Sequence, residues 1–317
     1  MTTIAIFGSR GYLGRELVRI LHHHPEADTL LPVSSSTQGS PYSTEVPGFH
    51  GIDTPFVDAQ AALDEKPDVV FFATPDAEAE GWAPKCGDAT VVDLSRAHRL
   101  EALRGGEWTY GLADLDPVPK GTKRIANPGC YPTASLLAAL PALRAGLARG
   151  SLIADGKSGV TGAGATPNPA FHYAATNESA RAYKVLGHDH QAEIGQAARN
   201  SGDVPRVRFT PHLVPMNRGL LSTVYLESDA SSEELKEAYA AAYADSFFVH
   251  AGDEPCTGNV RFTNHAEVAV DVDDGILVAR GAIDNLVKGG SGQAVQNMNT
   301  ALGFEPQTGL TGLGGAP

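Results

Sequence analysis

The chain has 317 residues, enough for about two domains with real cores, since 42% of them are hydrophobic. Its formal net charge of −13 offers no basic field to phosphates, which argues against a nucleic-acid partner, and no apolar run approaches the ~20 residues that cross a bilayer. Cys86, Cys130 and Cys256 stand at wide, unrelated spacings that make neither a disulfide framework nor a zinc site; with no secretory leader pattern, the expectation is a cytoplasmic protein without a metal.

Thr3-Ile4-Ala5-Ile6-Phe7 is a β-prone run that ends directly in Gly8-Ser9-Arg10-Gly11-Tyr12-Leu13-Gly14, and residues 15–21 then carry apolar side chains at helical spacing. Strand, glycine turn and helix in this order read as a dinucleotide site. Glycines let the backbone turn tightly and approach a pyrophosphate, which sits on the helix N-terminus. The plain alternative is an ordinary glycine-rich turn. A second strand, residues 30–33, ends in Ser34-Ser35-Ser36-Thr37, with no carboxylate where one would bind a ribose 2′-hydroxyl; Glu26 and Asp28 precede the strand. Hydroxyls and backbone N–H groups suit a 2′-phosphate, so Ser34 and Ser36 are candidate ligands and NADP is the expected cofactor. Strands at 69–73 and 91–94 continue the alternation and predict a mostly parallel sheet.

The heptad Asn127-Pro128-Gly129-Cys130-Tyr131-Pro132-Thr133 follows, and an Ala/Leu-rich helix is predicted over residues 134–147. Cys130 thus stands at or near a helix N-terminus, where unpaired N–H groups and the macrodipole favour a thiolate over the free thiol, whose pKa is roughly 8.5. A thiolate is a nucleophile, and the same N–H groups can stabilise an oxyanion. A buried structural cysteine is the alternative.

Beyond residue 150 the pattern changes. Runs at 152–155, 207–213, 221–226 and 276–281 read as longer strands, and residues 232–246 as an amphipathic helix with Ser231 as N-cap. A separate α+β domain with an antiparallel or mixed sheet follows. Residues 309–317 read as a frayed tail. Two polar clusters stand out. His188-Asp189-His190 with Glu193 lacks a third ligand at a zinc spacing, and suits acid/base work beside the thiol or an exposed turn before a helix. In Pro211-His212-Leu213-Val214-Pro215-Met216-Asn217-Arg218-Gly219 the arginine can hold an anion bidentately or simply be solvated.

Taken together the motifs resemble the N-acetyl-gamma-glutamyl-phosphate reductases of arginine biosynthesis, nearly end to end. The matching segments are Gly8-x-x-Gly-x-x-Gly14, Asp93-Leu-Ser, Tyr110-Gly-Leu, the cysteine heptad, Asp155-Gly-Lys-Ser-Gly-Val-Thr-Gly-Ala-Gly164, His188-x-His-x-x-Glu-Ile, the Pro211 to Gly219 run, Asp284-Asn-Leu-Val-Lys-Gly and Gly292-Gln-Ala-Val-Gln-Asn-Met-Asn299. The resemblance implies a Rossmann-like domain (residues 1–129 with 285–317) and an inserted glyceraldehyde-phosphate-dehydrogenase-like catalytic and dimerisation domain (130–284), whose chain returns through a helix at 292–302. It implies Cys130 as nucleophile and His190 and His188 as acid/base groups. Gly159 and Asn285 would lie at the nucleotide, and Asn127, Arg99, His212 and Arg218 at the substrate. Arg96, His98, Ala165 and Asp189 depart from the usual family residues.

The chemistry so implied is NADPH-dependent reduction of an acyl phosphate to an aldehyde, with a cysteine thioester and release of inorganic phosphate. N-acetyl-gamma-glutamyl phosphate is the expected substrate, and a homodimer or homotetramer the expected assembly. Alternatives are an aminoadipyl phosphate borne by a small acidic carrier protein, an aspartate-semialdehyde dehydrogenase, and a catalytically silent nucleotide sensor.

Overall fold

The computed structural model describes residues 2–101, 106–252 and 254–314. The chain forms two compact units, Met1–Pro128 with Gly290–Gly312, and Gly129–Gly289 with Leu313–Pro317.

The first unit is built on a six-stranded sheet, with β1 Thr3–Phe7, β2 Thr29–Val33, β3 Val69–Phe72, β4 Thr90–Asp93, β5 Thr109–Tyr110 and β6 Arg124–Ala126. Their order is β2-β1-β3-β4-β6-β5, and every pairing is parallel. Strands β3 and β4 are buried throughout, which is why β3 reads as an unbroken apolar run rather than an alternating one. The chain starts in the middle of the sheet, adds β2 on one side and returns to the other with β3. That reversal opens a crevice at the carboxyl ends of β1 and β3, where a doubly wound sheet binds its ligand.

The helix Gly292–Leu302 belongs to this unit and is almost wholly buried, including Gln293, Gln296, Asn297 and Asn299. Those amides are tied to the sheet side. Gln293 Oε1 accepts the Ala113 N–H, and Asn297 Nδ2 donates to the Gly111 carbonyl at 2.8 Å and to Asn127 Oδ1 at 3.1 Å. Buried amides need such partners, so they fix the register of the helix as well as its presence. The tail expectation fails at its start: Leu310 is buried, and a side chain on Gly309 would overlap the His24 ring.

The second unit carries a seven-stranded mixed sheet: β7 Arg149–Ser158, β8 Arg181–Ala182, β9 Val207–Leu213, β10 Leu220–Glu227, β11 Val249–Ala251, β12 Ala266–Asp273 and β13 Ile276–Ile283. The order is β11-β12-β13-β10-β7-β9-β8. Pairs β7/β9 and β11/β12 are parallel and the rest antiparallel. The turn between β12 and β13 is Asp274-Gly275, both at positive φ, as a tight two-residue hairpin requires. Burial alternates along β9 and β10, so one face of the sheet is packed and the other more open.

On the packed face lies the helix Cys130–Arg144, with residues 131–143 all buried. It begins four residues earlier than the sequence predicts and stops at Arg144 instead of 147. Pro132 misleads the reading at the start: in the first turn of a helix proline costs no hydrogen bond, because that N–H has no intrahelical partner. The helix lies very close to the sheet at two glycines. A Cβ on Gly281 would overlap the Ala134 carbonyl, and one on Gly156 would stand 2.5 Å from the Tyr131 ring. The helix Ser232–Ala242 is closed at its start by a capping box between Ser231 and Glu234 and ends before the predicted 246. Tyr239 and Tyr243 donate from this segment to the Ala138 and Leu137 carbonyls of the Cys130 helix.

Candidate active site

Two sets of residues carry chemistry, one in each unit. In the first, Gly8 leaves β1 at φ 74°, and any Cβ there would overlap the Ala73 carbonyl. A Cβ on Gly14 would stand 2.5 Å from Ser9 Cα and 2.8 Å from the Gly8 carbonyl carbon. Only glycine fits either place. The helix Tyr12–Leu21 starts after Gly11 with no side-chain cap, which leaves its first N–H groups to an anion. Ser9 is fully buried and works as scaffold: its hydroxyl donates to the Val33 carbonyl at 3.1 Å and its carbonyl accepts Tyr42 Oη at 2.8 Å.

A cleft of about 410 Å³ opens here, lined by Gly8, Arg10, Gly11, Ser34, Ser35 and Trp82 among others. At its rim Arg10 Nη1 donates to Ser36 Oγ at 3.0 Å, and the Ser36 and Ser34 hydroxyls lie 3.4 Å apart. The sequence places no arginine in the serine run. The fold supplies one from the glycine turn, because parallel pairing of β1 and β2 sets their two carboxyl ends side by side. The bare glycine turn and uncapped helix fit the pyrophosphate of a dinucleotide.

In the second unit Cys130 is the first residue of its helix, with Gly129 as N-cap and no side-chain cap, and it is partly accessible. Glu193, buried in the first turn of the helix His190–Arg199, accepts the Gly129 N–H at 2.9 Å. The cysteine turn is thereby tied to the turn that bears His190. The rings of His188 and His190 lie 4.6 Å apart, each 5.9 Å from that of Tyr131. His188 Nδ1 accepts the His190 backbone N–H at 3.2 Å, so in neutral His188 the proton sits on Nε2.

Tyr131 Oη donates to the His212 carbonyl at 3.0 Å, and Tyr183 Oη to Tyr131 Oη at 3.3 Å. Burial raises both phenols above their usual range, Tyr131 strongly, and negative charge at Cys130 adds to that shift. Both stay protonated as donors. Adjacency to Cys130 marks Tyr131 in the sequence, and nothing there singles out Tyr183.

Other expected contacts fall elsewhere. The side chain of His212 alternates with buried Phe209, Pro211 and Leu213 along β9. It is therefore on the open face of the sheet, opposite the Cys130 helix, with Nδ1 3.0 Å from Asp155 Oδ1. A period of two decides this.

Arg218 is neither solvated nor open to a ligand anion. It is buried, with Nε 3.0 Å from Asp284 Oδ2 and Nη2 3.1 Å from Oδ1, and it is withdrawn as a substrate contact. Arg99 is buried too and donates to the Asn127 and Leu94 carbonyls at 2.9 and 2.6 Å. Asn127 Nδ2 donates to the Pro128 and Gly290 carbonyls. Arg99 thus joins two strand ends of the first unit, and Asn127 ties one of them to the returning chain at Gly290.

In the second unit Asn285 accepts the Gly219 N–H at 2.8 Å and donates to Thr161 Oγ1 at 3.0 Å. A Cβ on Gly159 would stand 2.7 Å from the Asn217 carbonyl oxygen. Among the described residues no group of three His, Cys, Asp or Glu side chains is placed to hold a metal ion, and no helix is long and apolar enough to cross a membrane.

Residues 3–119 match the semialdehyde dehydrogenase NAD binding domain family, and residues 130–285 the semialdehyde dehydrogenase dimerisation domain family. The chain is 38% identical over 340 residues to N-acetyl-gamma-glutamyl-phosphate reductase of Brevibacillus brevis, covering 98% of each chain. It is 37% identical to the protein of the same name from Bacillus subtilis, covering 97% of this chain and 98% of that one. Among solved structures, aspartate semialdehyde dehydrogenase II from Vibrio cholerae superposes with a TM-score of 0.74 at 19% identity, covering 94% and 97% of the two chains. At that identity the likeness is one of fold.

Proposed function

Because this chain belongs to the N-acetyl-gamma-glutamyl-phosphate reductase family, we propose that it reduces N-acetyl-gamma-glutamyl phosphate to N-acetyl-glutamate semialdehyde with NADPH, through a thioester on Cys130. The observation that carries the mechanism is the placement of Cys130. It opens an uncapped, buried helix, its N-cap N–H is held by Glu193, and the His188 and His190 rings gather against the neighbouring Tyr131.

The Cys130 thiolate attacks the acyl carbon, the carbonyl π pair moves to oxygen, and its return expels inorganic phosphate to leave a thioester. N–H groups of the first helical turn face the developing oxyanion. The turn Gly8 to Gly14 and the uncapped helix start would hold NADPH, which when bound would supply the hydride that reduces the thioester. Hydride addition leaves a thiohemiacetal alkoxide, which takes a proton from protonated His190; return of that proton to His190 lets C–S cleavage release the aldehyde and restore the thiolate. His190, at the helix start, takes that proton, and His188 holds its backbone N–H. NADPH rather than NADH is favoured by Arg10, Ser36 and Ser34 at the cleft rim, where a guanidinium and two hydroxyls meet a 2′-phosphate. The second unit pairs copies of the chain into a homodimer or homotetramer.

The test is the reverse reaction, with phosphate, NADP and one semialdehyde at a time, followed by the absorbance of reduced nicotinamide. N-acetyl-glutamate semialdehyde gives the highest kcat/KM, ahead of aspartate semialdehyde and a carrier-borne aminoadipate semialdehyde. Cys130→Ser abolishes turnover and keeps nucleotide binding. Preference for another aldehyde, or substantial activity in Cys130→Ser, refutes the assignment.

A further inference from the structure

We propose that Gly289 is a positioning residue for the nucleophile: the turn Asp284 to Gly289 presses bare backbone against Cys130 and thereby fixes where its sulfur points. The proposal rests on Cys130 being the nucleophile. A Cβ built on Gly289 would stand 2.7 Å from Cys130 Cβ, 3.2 Å from Cys130 Cα and 3.2 Å from Ile283 Cδ1. Gly289 is not among the glycines at positive φ. Glycine is needed here for space, not for an unusual backbone angle.

The turn that carries Gly289 cannot retreat easily. The Gly289 N–H donates to the Asp284 carbonyl at 2.9 Å, an i to i+5 bond that opens the π-helical segment Val287–Ser291, a form of turn found often at functional sites. Asp284 is itself fully buried and held from four directions. Its carboxylate accepts the N–H groups of Leu286, Val287 and Phe262 at 2.8, 3.0 and 2.7 Å, and it faces the Arg218 guanidinium. Lys288, beside Gly289, is also fully buried, with Nζ 4.9 Å from the centre of the Phe248 ring. Arg218 and Asp284, which touch no substrate in this scheme, therefore hold the wall behind the thiol.

On the other side Cys130 is held by its helix, seated on Gly156 and Gly281, and by the Glu193 bond to Gly129. A methyl at 289 must push Cys130 Cβ by about 0.7 Å to reach the 3.4 Å of an ordinary contact, and the sulfur moves with it. A displacement of ~1 Å at a reacting atom costs roughly 10²-fold in rate.

The experiment uses the full-length enzyme carrying Gly289→Ala, with Ile283→Val alone and the double variant beside it; the valine lacks the Cδ1 and gives the turn room to back away. Two readouts are taken: kcat and KM for the semialdehyde, and the pH profile of Cys130 alkylation by iodoacetamide, measured on the Cys130 peptide. We expect Gly289→Ala to lower kcat roughly 10- to 100-fold, to change KM for the semialdehyde less than about threefold, and to shift the alkylation profile. The double variant falls between Ile283→Val and Gly289→Ala in both readouts.

Wild-type kcat with a wild-type alkylation profile in Gly289→Ala overturns the proposal. Should Gly289→Ala not fold, the double variant decides: a lowered kcat with a shifted profile supports the proposal, and identity with Ile283→Val in both readouts overturns it. Cys130→Ser separates the two ideas. Turnover in that variant removes the nucleophile assignment, whereas an inert Cys130→Ser beside an unaffected Gly289→Ala removes only the role of Gly289.

Discussion

Asp284→Asn tests the claim that Arg218 is scaffold and not a substrate ligand. The native carboxylate accepts from the Leu286 and Val287 N–H groups and Arg218 Nη2 through Oδ1, and from the Phe262 N–H through Oδ2, which also lies 3.0 Å from Arg218 Nε as an ion pair. An asparagine keeps the size but carries an NH₂ on one side. Whichever way it flips, a donor faces donors. Arg218 is then left as a buried cation without its counter-charge, which costs about 3–5 kcal/mol, and an orphaned backbone N–H costs about 1–3 kcal/mol more, with incomplete additivity. We expect Asp284→Asn to lose about 3–5 kcal/mol. The double change Arg218→Met with Asp284→Asn recovers the charge part and keeps a deficit of about 1–3 kcal/mol for the N–H groups. Urea unfolding followed by circular dichroism gives the free energies, and amide exchange over residues 257–289 shows where protection is lost. A single variant within about 1 kcal/mol of wild type refutes the reasoning.

Three further outcomes follow from named contacts. Arg10→Ala removes a charge-assisted bond worth about 1.5–3 kcal/mol; because Arg10 is exposed the loss is near the low end, about tenfold in kcat/KM for NADPH with NADH unaffected. An equal loss with both nucleotides contradicts the 2′-phosphate assignment. Gly281→Ala forces a methyl against the Ala134 carbonyl and costs about 1–3 kcal/mol, whereas Gly258→Ala, whose Cβ would meet only Cys256 Sγ at 3.6 Å, is within about 0.5 kcal/mol of wild type by urea unfolding.

His24 titrates below its ordinary value, chiefly through burial and against the pull of its bond to Asn299. Its Nδ1 accepts the Glu26 N–H and its Nε2 faces Asn299 Oδ1, so the folded state holds the neutral ring. Unfolding then takes up a proton, and stability that is full above the unfolded pKa of about 6.5 is lost as pH falls through the depressed folded value. His24→Gln flattens that limb of a stability–pH curve; an unchanged limb shows that other groups cause it.

Much of this protein was legible in its sequence because the signals are local. Glycine spacing after β1, unbroken apolar strands and a cysteine behind Pro-Gly follow from steric and hydrogen-bond rules that act over a few residues. They gave the parallel nucleotide-binding sheet, the mixed sheet after it, and Cys130 at a helix start. The ends of elements were less legible. The helix expected from 134 starts at Cys130, with Pro132 inside its first turn, and Leu310 lies in a stretch that reads as tail but packs.

Which side chains meet was decided by the tertiary structure alone. Arg218 resembled an anion ligand until Asp284, 66 residues away, took it, and His212 fell on the open face because strand alternation is set by what packs beneath. Arg10 joined the serine run only through the pairing of β1 with β2, and Gly289 found Cys130 only through the π turn. Local rules fix the conformation of a segment. Partnership across scores of residues depends on how sheets and helices stack, and a lone arginine, histidine or glycine carries no mark of the neighbour it will have.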